Sequence, residues 1–157
     1  MPHNVLGLRS QKNRNQCHSD LQLVIDEAAK VSQVDFTIIE GARDVERQQM
    51  LFDTDKSKVN PKKYTPEVLI TKGKHIVNKF RSVSHAFDFI VCVPGRKDLA
   101  YDLTHIMYLV GVFTSVGERL YQEGKIKHRI RSGANWDMDG TLKYDQTFFD
   151  SPHIEMV

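Results

Sequence analysis

Apolar residues recur along this chain with two periods that follow one another. Leu21, Val24, Ile25 and Ala28 stand at helical spacing, which predicts a helix burying one face, with Ser19 and Gln22 suited to a capping box at its start. Val34, Phe36 and Ile38 then alternate, as in a strand, and this element ends near Glu40, delivering the chain to Gly41 and Arg43. Val45, Gln48, Gln49 and Phe52 return to a roughly helical interval, so a short helix is expected over residues 44–52. Residues 53–81 mix charges with Pro61, Pro66 and Gly73 and sustain no period, which predicts a long surface excursion able to border a groove.

In HAFDFIVCV, Phe87, Phe89, Val91 and Val93 share one parity and Ala86, Asp88, Ile90 and Cys92 the other, the pattern of a largely buried strand. Asp88 is the exception and needs a partner, because an unpaired buried carboxylate is costly. Leu103, Ile106, Met107, Val110, Phe113 and Leu120 mark the longest helix, within residues 99–123. After Gly124, KHRIR predicts a short strand and RSGANWDMDG a turn. The terminal HIEMV predicts a last strand with His153 and Glu155 on one face. Residues 1–18, polar and basic after VLGL, are expected to form an extended arm or a loosely attached surface segment.

At 157 residues and 18.1 kDa the chain fits a single domain over 1–157. With 40% hydrophobic and 27% charged residues it can build a core, so disorder is not the default. A net charge of +2 is too mild to imply nucleic acid, and neither a P-loop nor a zinc-finger spacing occurs. No apolar run reaches the roughly eighteen residues of a membrane helix and no long apolar leader opens the chain, so a soluble protein without membrane insertion is expected. Cys17 and Cys92 form no CxxC pair, and Cys92 in its apolar strand is expected to be buried and inert.

The residues that could carry chemistry are spread along the chain. Asp88 and His153 offer a carboxylate and an imidazole on two expected strands, which sheet pairing could bring together around zinc. Asp150, three residues before His153, could move a proton as a general acid and base, or simply cap a turn. Glu155 could orient the His153 imidazole. Arg43 could clamp a substrate carboxylate or join a surface ion pair. His75, His85 and His128 each fit an exposed, packed or ligating role. No GxSxG elbow offers a nucleophilic alternative, and the lysines around Lys56 and Lys72 are expected to be a solvated face.

The ordered segments VDFTIIEGARDVERQ, SHAFDFIV, RIRSGANWDMDG and FDSPHIEMV resemble the phage L-alanyl-D-glutamate peptidases, of the D,D-carboxypeptidase-like zinc peptidase group, over about residues 20–157. The resemblance implies an α+β fold with a small antiparallel sheet and flanking helices. It also implies a zinc endolysin that hydrolyses peptide stems of bacterial peptidoglycan, soluble in the host cytoplasm before lysis, with a monomer favoured. By that resemblance Asp88 and His153 are metal ligands, Asp150 the catalytic acid and base, Arg43 a substrate-facing arginine and Glu155 a supporting carboxylate. One position departs: the family's SxHxxGxAxD places its first metal histidine seven residues before the aspartate, where this chain has Arg81, with Lys79 for the serine and Ser84 for the glycine. A guanidinium that stays protonated is no ordinary zinc ligand. Three readings follow: His85 enters through a bulge, His75 arrives from the preceding loop, or the chain is a catalytically inactive peptidoglycan-binding relative.

Overall fold

The computed structural model describes residues 5–136, 138–140 and 150–157, with the backbone alone for 150 and 151. Among the described residues, five α-helices, α1 (Leu8–Asn15), α2 (Ser19–Val31), α3 (Val45–Asp53), α4 (Pro66–Lys72) and α5 (Leu103–Gln122), accompany four strands, β1 (Phe36–Glu40), β2 (Ala86–Val91), β3 (Ile130–Gly133) and β4 (Asp150–Met156). The strands form one antiparallel sheet in the order β1-β2-β4-β3. This is an α+β fold, a small antiparallel sheet flanked by helices.

One face of the sheet meets α2 and α5. Phe36 and Ile38 of β1, Phe87, Phe89 and Val91 of β2, and Ile154 and Met156 of β4 are all buried there. Helix α5 contributes Ile106, Leu109, Val110, Phe113 and Leu120, a stripe at i, i+3, i+4 and i+7 that explains why this segment is helical and which side it buries. Phe113 is central, with its ring edge-on to Phe36 at 4.9 Å and to Phe87 at 5.1 Å and tilted against Phe89 at 4.9 Å. At Gly117 the helix presses on β3: a β-carbon there would lie 2.7 Å from Ile130 Cγ1, so only glycine permits this approach. The Asp102 side chain accepts the His105 amide and starts the helix, and Gly124, at φ 70°, follows its end.

The expected extended arm is instead the helix α1 over Leu8–Asn15. Its residues carry no apolar stripe, so periodicity does not reveal it. What holds it is polar: the buried Ser10 Oγ accepts the Ile38 amide at 3.0 Å and Asn13 Nδ2 donates to the Ile38 carbonyl at 2.8 Å. The helix therefore covers the otherwise open edge of β1 and satisfies its backbone groups. Helix α2 is capped by the His18 side chain, which accepts the Asp20 amide, rather than by Ser19, which already lies inside the helix. The expected burial of Cys92 is not found. Cys17 is buried, its thiol pushed up to about 12 chiefly by that burial, whereas Cys92, just past the end of β2, is exposed.

Candidate metal centre

The opposite face of the sheet carries the chemistry. Antiparallel pairing sets Asp88 directly across from His153, and Glu155 across from both Ala86 and Arg131. Because side chains alternate, Asp88, His153, Glu155 and Arg131 project from the face that Phe87 and Ile154 leave free. Glu40 joins them only through a β-bulge: Ile38 pairs with Phe89 and Glu40 with Asp88, so two steps on β1 meet one on β2 and the side chain changes face.

His75 completes the group. Its Nε2 lies 3.2 Å from Asp88 Oδ1 and 3.2 Å from His153 Nδ1, and His153 Nδ1 lies 3.0 Å from Asp88 Oδ1. The far nitrogen of each imidazole is tied: His75 Nδ1 contacts the Gly41 carbonyl at 2.7 Å, and His153 Nε2 contacts Glu155 Oε2 at 2.9 Å. Two acceptors behind the rings favour protons on those outer nitrogens, so that the inner nitrogens face Asp88 and offer lone pairs to an ion that displaces any proton there. Two imidazoles and one carboxylate converging in this way match the donor set of a divalent metal site with positions left for water or substrate. The residues present fit such an ion.

His75 reaches the site from the long excursion because its backbone is pinned on both sides. The Arg43 amide donates to the His75 carbonyl at 2.8 Å and the Val77 amide to the Arg43 carbonyl at 3.0 Å. Arg81, standing where the family pattern has a histidine, donates instead from Nε to the Ile76 carbonyl at 2.9 Å and from Nη2 to the carbonyls of Gly73 and Ile76. The guanidinium thus ties together the loop that carries His75. His85 lies elsewhere, its ring edge-on to His18 with centroids 5.6 Å apart. Three residues before Asp88, it points away from the triad's face, and β2 pairs with β4 in unbroken register from Ala86 to Asp88, with nothing to turn it back.

The electrostatics are those of a site arranged for a cation. Burial alone would raise the Asp88 carboxyl, but the imidazoles of His75 and His153 overcome it and hold the group far below the ordinary carboxylate range. Burial likewise opposes a charge on His153, yet hydrogen bonds to Asp88 and Glu155 raise its pKa to about 9. Glu155 pays desolvation too and is nonetheless lowered by His153 and by Arg131, whose Nε and Nη2 donate to Oε1 at 2.8 and 2.6 Å. Trp136 lies tilted beside His153, ring centroids 5.3 Å apart, and against the Arg131 guanidinium at 5.4 Å.

Arg43 borders the triad. Its Nε and Nη2 donate to the two oxygens of Glu40 at 3.0 and 3.1 Å and its Nη1 to Gln48 at 3.2 Å, while Nη2 lies 3.9 Å from Asp88 Oδ2. The fork is therefore held in place with part of its donor capacity still available. Gly41 permits this corner, since a β-carbon there would collide with the Asn13 carbonyl. Asp150 opens β4 with its backbone opposite Gly133; its side chain lies outside the described residues. The cleft above the triad has a volume of about 710 Å³, and Lys56, Lys58, Lys72 and Lys74 of the long excursion line it together with Arg43 and Trp136. Sequence reading overlooked Glu40, Arg131 and Trp136. The KHRIR alternation placed Arg131 on a strand, but only the register with β4 shows that it meets Glu155.

A His-Asp-His set at the base of a cleft on an antiparallel sheet defines the class: a metal-dependent hydrolase of the zinc-peptidase fold. The chain belongs to the phage L-alanyl-D-glutamate peptidase family, whose profile matches residues 3–157. Among solved structures, the crystal structure of Serratia marcescens L-Ala D-Glu endopeptidase ChiX superposes with a TM-score of 0.64 at 19% identity, covering 96% of this chain and 87% of that one. At that identity the likeness speaks for the fold. No curated protein matches the chain. With the metal-binding geometry intact, the chain is a peptidoglycan-hydrolysing metallopeptidase rather than an inactive relative. Among the described residues no helix is long and apolar enough to cross a membrane.

Proposed function

We propose that this chain cuts the L-alanyl–D-glutamyl bond of peptidoglycan stems with zinc held by His75, Asp88 and His153. The reading rests above all on the convergence of those three donors at the base of the cleft. Zinc, when bound, polarises the scissile carbonyl and acidifies the attacking water. The rest is done by the protein. Asp150, immediately ahead of the strand segment that carries His153, takes the proton of the attacking water and returns it to the departing amine. Glu155 keeps the His153 ring turned so that Nδ1 faces inward. Arg43, braced by Glu40 and Gln48, presents its remaining donors to an acidic group of the stem and so restricts rotation before attack. The four lysines of the cleft favour the same kind of partner, since a stem bearing free carboxylates is drawn to a cationic wall. The enzyme acts as a monomer, made in the host cytoplasm and reaching the wall when lysis opens the membrane.

The test is release of new glutamate amino termini from purified peptidoglycan by the zinc-loaded chain. Wild type should release them. Asp150→Asn should lower turnover by about 10²- to 10⁴-fold while keeping its zinc and its binding to the wall. Unchanged turnover in that variant removes Asp150 from the chemistry, and a zinc-loaded wild type that releases nothing overturns the proposed activity.

A further inference from the structure

The catalytic triad takes two of the seven histidines, and two others, His18 and His128, gather around one carboxylate elsewhere, with His85 beside His18. His18 and Asp20 lie at the start of α2, His128 in the approach to β3, and His85 in the approach to β2. None of the four lines the catalytic cleft.

Asp20 organises the group. Its Oδ2 accepts the amides of Lys127 at 2.9 Å and His128 at 3.1 Å and lies 2.8 Å from His128 Nδ1; its Oδ1 lies 3.9 Å from His18 Nδ1. The His18 ring is edge-on to His128 at 5.1 Å between centroids and to His85 at 5.6 Å. One donor atom from each of His18, Asp20 and His128 falls within 4.8 Å of the others. Donors of a tetrahedral zinc site stand about 3.4 Å apart at bonds of about 2.0–2.1 Å, so side-chain rotations of roughly an ångström close this set. The His128–Asp20 contact at 2.8 Å is of the kind the catalytic triad displays, while His18 stands further out at 3.9 Å.

The Asp20–His128 contact accounts for one of these imidazoles and the cap of α2, where His18 Nδ1 accepts the Asp20 amide at 3.0 Å, for a second, which leaves His85 beside them without a structural role. The protonation states suit ligation better. Burial first, and then the nearby charges of Arg81, His18, Lys74 and His128, push the His85 pKa down to about 4, leaving its ring neutral near pH 7. Burial opposes the Asp20 carboxylate, but the His128 ring and the two amides hold it below its ordinary value. His18 and His128 are only partly buried, so an ion can enter from solvent.

We propose that His18, Asp20 and His128, with His85 as a fourth donor, form a second divalent-cation site that is structural and separate from the catalytic cleft. Its nitrogen-rich donor set selects zinc, cobalt or nickel over calcium or magnesium. The ion ties the start of α2 to the approaches of two strands, reinforcing the contact that the His18 amide already makes with the Ser84 carbonyl at 2.9 Å. Those strands carry Asp88 and Arg131.

The test uses the full chain, stripped with a chelator and titrated with Co²⁺ while absorption and calorimetry are followed. Wild type should bind two ions. His153→Ala, which damages the catalytic set, should keep one. His128→Gln should also keep one, at the triad, and still release amino termini when reloaded with zinc. His85→Gln should weaken the second ion and leave the first unchanged. A single ion in wild type, or two ions still bound tightly by His128→Gln, overturns the site; a second ion bound equally tightly by His85→Gln removes His85 as the fourth donor.

Discussion

Glu155 touches no substrate in the proposed mechanism, yet the geometry makes it a control point for the metal. Its Oε2 holds His153 Nε2 at 2.9 Å while its Oε1 receives two donors from Arg131, and the whole side chain is buried. Glu155→Gln keeps the volume and removes the charge. The amide oxygen can still accept from one neighbour, but it cannot serve both His153 and Arg131 as the carboxylate does, and its NH₂ faces one of two donors. Hydrogen bonds to a charged group contribute about 1.5–3 kcal/mol each, and loss of such a partner behind a metal histidine costs about 10- to 100-fold in metal affinity. That range corresponds to about 1.4–2.7 kcal/mol, close to one charge-assisted bond. The assay is competition for zinc against a chromophoric chelator at fixed pH, with circular dichroism to verify folding. Expected is a 10- to 100-fold weaker catalytic-site affinity, with turnover recovered at saturating zinc. A folded variant that binds zinc as tightly as wild type refutes the claim that Glu155 fixes the His153 ring.

Other expectations follow from the same site. His75→Ala should abolish release of amino termini and remove the catalytic ion, whereas His85→Ala should retain both; the opposite outcome, read by metal analysis and turnover, would return the third-ligand role to His85. In chelator-treated protein, His153 has a folded pKa of about 9 against an ordinary 6.5, so the proton it retains contributes stability fully below about pH 6.5 that is lost as pH rises through 9. Denaturant unfolding should therefore show falling stability across that window, and zinc, which must displace the proton, should bind more tightly as pH rises through it; flat profiles would refute the assignment. Gly41→Ala drives a β-carbon into the Asn13 carbonyl and should destabilise the chain by about 1–3 kcal/mol, measured by urea unfolding, with His75 loosened through its bond to the Gly41 carbonyl.

Much of this protein is legible in one dimension because its interior follows simple periods. The alternation of Phe87, Phe89 and Val91 marks β2, and the stripe from Ile106 to Leu120 marks α5, since each element must bury one continuous apolar side. The same alternation isolates Asp88 on the other face and sets His153 with Glu155, so two of the converging donors and the carboxylate behind them are visible before any pairing is known. Other features depend on contacts that no local pattern encodes. Helix α1 exists through polar bonds to the edge of β1, and Glu40 reaches the site through a bulge whose register is fixed only against β2. The choice of His75 over His85 turns on a loop fastened by Arg43 and Arg81, with strand parity directing the nearer histidine away from the triad and toward His18. Periodicity records which side of an element is buried; it carries no information about which partner meets the other side, and that was decided by strand register and loop closure in three dimensions.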